Sequence, residues 1–211
     1  MCAAPLLADL HRSGFPMGGE PSVAVDFVDT VYRDTPTSVV DLLADPQTPW
    51  WQLQSSRLVS GARPDHAATV RLREALRVAF EMTISGDVPD DHTLDVLNHF
   101  AGLVPTSPRL RTVEGTLTAD TQWHAPGGAD ANLCAIARDG MTLLLDPDRI
   151  RRLRSCANPS CMMIFVAENA KRIWCSASGC GNRARAARHY YRQRAAGSSV
   201  RANHDREEPV S

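Results

Sequence analysis

Apolar residues recur at helical spacing most clearly over 64–84, where Val70, Leu72, Leu76, Ala79, Phe80 and Ile84 form one broad stripe. Arg71, Arg73, Glu74, Arg77 and Glu81 fall largely around that stripe. The pattern predicts an amphipathic helix, with Pro64 in its first turn and Gly86 ending it. A second helix follows, capped by Asp90 or Asp91, with Leu94, Leu97, Phe100 and Ala101 on one side. A third spans 130–145, with Leu133, Ile136, Ala137, Met141 and Leu144 inward, and Pro147 then opens a short helix through Arg154. Two further short helices are expected over 36–44 and 49–59, broken by Asp45-Pro46.

Period-two patterning is rarer. Residues 22–28 read Ser-Val-Ala-Val-Asp-Phe-Val, β-branched and partly alternating, which predicts a first strand. Residues 109–123 alternate and are rich in threonine, which predicts a β-hairpin with Ala119-Asp120 in its turn. The reading for this part is an α+β domain, mainly helical, with a small antiparallel sheet.

The chain has 211 residues, 43% hydrophobic and 22% charged, values of an ordinary globular protein. No run approaches a membrane span. Met1 to Gly19 lacks a basic leader and an apolar core, and reads as a loose tail rather than a signal peptide, so a cytoplasmic setting is expected. The net charge of −1 hides an asymmetry. Residues 1–148 carry 10 Lys/Arg against 20 Asp/Glu, whereas 149–206 carry 13 against 2. Charge sign and cysteine density both change near Asp148. The expected organisation is a flexible tail over 1–20, an acidic domain over 21–148, a basic segment over 149–196 and a disordered tail over 197–211. A basic block seeks a polyanion.

That block holds Cys156, Cys161, Cys175 and Cys180, spaced Cys-x4-Cys, thirteen residues, Cys-x4-Cys. Asn158-Pro159 and Ser178-Gly179 place each pair in a tight turn. Four thiolates complete a tetrahedral structural zinc site and leave no open position for catalysis. Spacing alone also admits two disulfides; a reducing compartment argues for the metal. Cys2 and Cys134 are isolated.

These residues also carry a resemblance. Cys180-Gly181-Asn182-Arg183, preceded by Trp174-Cys175-Ser176, together with Arg154-Ser155-Cys156-Ala157-Asn158-Pro159-Ser160-Cys161 and Phe165, resembles the CGNR zinc finger of bacterial proteins. The resemblance implies zinc held by Cys156, Cys161, Cys175 and Cys180. It departs at Met163, where an aromatic is usual, at Ala167, where an Asp is usual, and in a shorter stretch from Phe165 to Trp174. Upstream, Val25-Asp26-Phe27-Val28-Asp29-Thr30, Leu72-Arg73-Glu74-Ala75-Leu76 and the hairpin before Leu133-Cys134-Ala135-Ile136-Ala137 are similar to the ABATE domain, which commonly precedes that finger. The combination implies an α+β fold ending in a small four-cysteine zinc finger with a terminal helix, and a stress-induced transcription regulator.

Beyond the last cysteine, Arg185, Arg188 and Arg192 share one helical face, with Asn182 placed to cap the helix. Ala184, Ala187 and Tyr191 lie on another face, suited to packing on the zinc turns. Arg183, Arg185, Arg188, Arg192, Arg194, Arg154, Lys171 and Arg172 are the candidate contacts to DNA; Arg149, Arg151 and Arg152 extend the positive surface. The alternative is a zinc-stabilised protein-docking surface. The acidic domain is left as a sensor of a small-molecule effector or as a dimerisation module. For an enzyme the candidates are Asp26, Asp29, His92, His99 and His124, but no glycine-rich phosphate loop, HExxH or nucleophile elbow accompanies them, and no catalysis is expected. Trp50-Trp51 suits a pocket wall or the core.

Overall fold

The computed structural model of the chain describes residues 20–204 apart from 36 and 125–127, without the side chains of 34, 35, 178 and 194–204. The expected tails therefore fall largely outside the described residues. Seven α-helices and three two-stranded antiparallel sheets are described.

The spine is α3, His66–Ser85, which follows α1 (Val23–Val28) and α2 (Trp50–Leu53). Asp65 caps α3, its carboxylate accepting from Ala68 N at 2.9 Å. Pro64 therefore precedes the helix instead of opening it. Gly86, at φ 88°, ends it in the left-handed conformation that glycine adopts without strain. Leu72, Leu76, Ala79 and Phe80 are buried as the stripe predicts. Arg73 and Arg77, expected at its margin, are buried too. Arg73 donates to both carboxylate oxygens of Asp41 at 2.7 Å.

Residues 23–28 form a helix, not the predicted strand, and all six are buried. A segment buried on every side has no periodicity to distinguish the two. Asp139 of α5 (Asp130–Leu145) holds the start of α1, accepting from Ser22 Oγ at 2.5 Å and Ala24 N at 2.9 Å. Beside it Gly140 permits close approach: a Cβ there would overlap Leu76 Cδ2 and lie 3.3 Å from Ala24 Cβ.

The helix expected over 36–44 is replaced by a hairpin of β1 (Val31–Thr35) and β2 (Ser38–Asp41), which delivers Asp41 to Arg73. Only Trp50–Leu53 of 49–59 is helical; Trp50 and Trp51 both enter the core and meet Phe27, with centroids 5.8 and 6.1 Å away. In α4 (Asp91–Ala101), capped by Asp90, Val96 turns inward and Leu94 stays exposed. In α5, Leu143 is buried while Met141 and Leu144 are half-buried.

The long hairpin is present as β3 (Thr106–Val113) and β4 (Thr116–Trp123). Its turn is Glu114-Gly115, both at positive φ, and Ala119-Asp120 lie within β4. Two successive positive φ values match the twist of a two-residue hairpin connection. Helix α6 (Pro147–Ile150) stops before Arg154, because Leu153–Ser155 leaves as β5 to pair with β6 (Ile164–Val166). This β5–β6 hairpin joins the main core: Leu153, Ile164 and Val166 belong to the same buried cluster as Val28, Leu76 and Phe80. No helix among the described residues is long and apolar enough to cross a membrane.

Candidate zinc centre and the helix beside it

Each cysteine is set by local structure. Cys156 follows β5, and its N–H donates to Met163 O at 2.9 Å. Asn158 builds the first turn: its carboxamide oxygen accepts from Ser160 N at 3.1 Å and its carbonyl from Cys161 N at 2.8 Å. Ala157 N donates to Ile173 O at 2.9 Å, which draws the second cysteine pair alongside the first. Cys180 lies in a π-turn, Ala177–Gly181, that runs directly into α7, Asn182–His204. Ser176 caps the turn, its Oγ accepting from Gly179 N at 3.0 Å and its carbonyl from Gly181 N at 2.9 Å. The cap is thus Ser176 rather than Asn182, whose side chain instead accepts from Arg185.

The four sulfurs all lie within 4.8 Å of one another, and Cys161 and Cys175 are 3.8 Å apart. Tetrahedral Zn–S bonds of about 2.3 Å require sulfurs about 3.8 Å apart, whereas a disulfide needs about 2.05 Å. None of the four is in a disulfide. Donors already face the sulfurs: Asn158 Nδ2 is 3.4 Å and an Arg183 guanidinium nitrogen 3.6 Å from Cys180 Sγ, and Cys175 N is 3.5 Å from Cys156 Sγ. The proton affinities are shared unevenly. Hydrogen bonds from the Cys161 and Cys175 thiols lower Cys156 to about 2. Donating to the Cys156 sulfur pushes Cys161 up to about 12, and Cys175 is raised as well. Four thiolates gathered this closely repel one another, so the set calls for the charge of a divalent metal to hold them together. Zinc supplies that charge, and its binding contributes folding free energy. Beneath the site Met163, Phe165 and Ala167 are buried.

The predicted nucleic-acid contacts divide. Arg188 and Arg192 are exposed on α7 and donate back to their own helix, at Ala184 O and Arg188 O. Arg185 is exposed but held against the π-turn through Ala177 O at 3.0 Å. Arg183 leans on Cys180, Lys171 is exposed, and the side chain of Arg194 is outside the described set. Arg154 is half-buried with its Nε unpaired, in a groove of about 490 Å³ with Arg151, Ile84 and Ile173. Arg172 is turned inward, its guanidinium over Phe165 and bonded to Cys175 O and Glu20. Ala187 and Tyr191 are exposed, not packed on the zinc turns.

The candidates for catalysis do not converge. Asp26 is buried in an ion pair with Arg57. Asp29 accepts from Ile164 N at 3.0 Å, and burial pushes its carboxyl well above the usual range against that N–H and Arg77. His92, His99 and His124 are exposed. Two residues escaped the sequence reading: Glu20, left in the tail, is buried against β6, and Arg77 reaches the finger at Met162 O over 2.9 Å. An acid or an arginine has no sequence signal for a partner so distant along the chain.

Comparison with known families agrees with this architecture. The ABATE family, described as "Putative stress-induced transcription regulator", matches residues 22–147, and the CGNR zinc finger matches residues 152–193. No curated protein matches the chain. The chain belongs to the ABATE family and carries a CGNR zinc finger at its C-terminal end.

Proposed function

We propose that the protein is a DNA-binding transcription regulator of the bacterial cytoplasm, with the zinc centre as a structural staple and α7 as the reading element. One observation carries this. Every described side chain of α7 except Ala184 is exposed, and no acidic residue occurs over 169–204. A helix with no buried apolar face gains little packing from its own chain, which leaves its surface open to a partner. A surface of arginines without carboxylates suits phosphates first and base edges second. Arg188 and Arg192 stand free for that role, Arg185 and Lys171 flank them, and Arg172 is committed to the interior.

The test is fluorescence anisotropy with labelled duplex DNA across a salt series. Binding should weaken with salt. The double change Arg188→Ala, Arg192→Ala should lower affinity and reduce the log–log salt slope by about 1.8, two phosphates' worth. Unchanged affinity and slope, in a variant that keeps its zinc, would sink the assignment. A protein partner captured in place of DNA would favour a docking module, for which exposed Tyr190 and Tyr191 offer contacts.

A further inference from the structure

Arg172 stands at the seam between the finger and the N-terminal domain. Its guanidinium lies 4.5 Å above the centroid of the buried Phe165 ring. One of its nitrogens donates to Cys175 O at 2.8 Å and meets Glu20 Oε1 at 3.4 Å. The opposite nitrogen is 3.9 Å from the exposed Glu168. The other oxygen of Glu20 accepts from Val166 N at 3.2 Å, in β6.

The contacts continue into the other domain. Glu20 N donates to Asp26 Oδ1 at 3.1 Å, and Glu20 O accepts from Arg57 at 2.5 Å. Arg57 also binds Asp26 Oδ2, and it reaches Gln54, at the end of α2, over 3.1 Å. Glu20 and Asp26 are 6% and 4% exposed, so these charges cannot be satisfied by water. An unbroken polar chain thus runs from the carbonyl of a zinc ligand to the loop after Trp50 and Trp51. Glu20 precedes the span matched by the ABATE family and lies outside the finger.

We infer that the Glu20–Arg172 pair is a strut that couples the zinc centre to the N-terminal domain, so that zinc affinity depends on Glu20. Arg172 fixes the turn that presents Cys175, and Glu20 fixes Arg172. Four thiolates around Zn²⁺ leave a net charge of about −2, and a guanidinium held at the ligand's carbonyl stabilises that charge without competing for the metal. Partners behind the ligands commonly set metal affinity to within about 10–100-fold. Coupling is reciprocal, so zinc must also tighten the Glu20–Asp26–Arg57 region.

The experiment is zinc competition against a chromophoric chelator with the full chain, in wild type, Glu20→Ala, Arg172→Ala and the double variant. Glu20→Ala should lower zinc affinity about tenfold and add nothing in the Arg172→Ala background. In hydrogen exchange, zinc should slow amides of 22–28 and 57–58 in wild type and not in Arg172→Ala. A folded Glu20→Ala within twofold of wild type would overturn the strut. So would an equal loss in both backgrounds, which marks a merely structural role. Should Glu20→Ala fail to fold, Glu20→Gln, which keeps the length of the side chain, runs the same cycle. None of these readouts depends on DNA binding.

Discussion

Arg77→Met removes a guanidinium that bolts the finger to α3 while keeping an apolar side chain of similar length. Arg77 donates to Met162 O and to Val28 O at 2.9 Å each, with a longer approach of 3.4 Å to Val31 O. Methionine leaves these carbonyls unpaired beside a buried seam. A hydrogen bond from a charged donor contributes about 1.5–3 kcal/mol, so two of them come to about 3–6 kcal/mol, and the loss is about 2–5 kcal/mol after the methionine recovers some apolar burial. Against a total of about 5–15 kcal/mol for a domain, that is a large share. The assay is urea unfolding of the zinc-loaded protein, followed by tryptophan fluorescence and by far-UV circular dichroism. The midpoint should fall sharply and the two probes should still coincide, because the seam belongs to one core. A loss under about 1 kcal/mol, below the usual contribution of even one such bond, would refute this account of Arg77.

Other outcomes follow from single sites. Gly140→Ala should destabilise by about 1–3 kcal/mol through overlap with Leu76, despite alanine's better helix propensity; a raised melting temperature would contradict the packing. The folded pKa of Asp29 is raised, so its contribution is full below the unfolded value near 3.8 and is lost as pH rises through the folded one. Asp29→Asn, which keeps an acceptor for Ile164 N, should therefore gain stability over wild type increasingly toward alkaline pH in thermal melts; a gain confined to acid would reverse the sign. Native mass spectrometry should find one zinc per chain, lost in Cys156→Ser and kept in Cys134→Ser, whose thiol instead donates to Ala101 O. Loss of zinc in both would show that a fifth cysteine takes part.

What the sequence disclosed depended on how local the cause was. The α3 stripe, the Asp90 cap, the helix over 130–145 and the four cysteines are each written in a few neighbouring residues, and all stand in the structure. The failures share a long-range cause. Val23–Val28 is buried on every side, by α3, α5, β6 and the two tryptophans of α2, so its β-branched residues resembled a strand. The segment after Pro36 forms a strand because β1 pairs with it and Asp41 is claimed by Arg73. Placing the hairpin turn at Ala119-Asp120 overlooked Gly115, the residue that supplies positive φ next to Glu114. Arg73, Arg77 and Arg172 looked like surface charge, yet each reaches a buried acceptor far away in sequence, at Thr30, Val28 and Glu20. At the site, spacing named the ligands, while the sorting of arginines into inward and outward sets required the fold.

The burial of Leu153, Ile164 and Val166 in the main core sets how this protein can be dissected. Excised as residues 152–193, the finger would turn these three side chains to water and become prone to self-association. Truncation on the other side, at residue 152, would strip a layer from α1 and α3. The smallest reagent for recognition experiments is therefore the chain from before Glu20 through α7, and a fusion or domain-swap that exchanges fingers between relatives must carry the matching face of α3 with it.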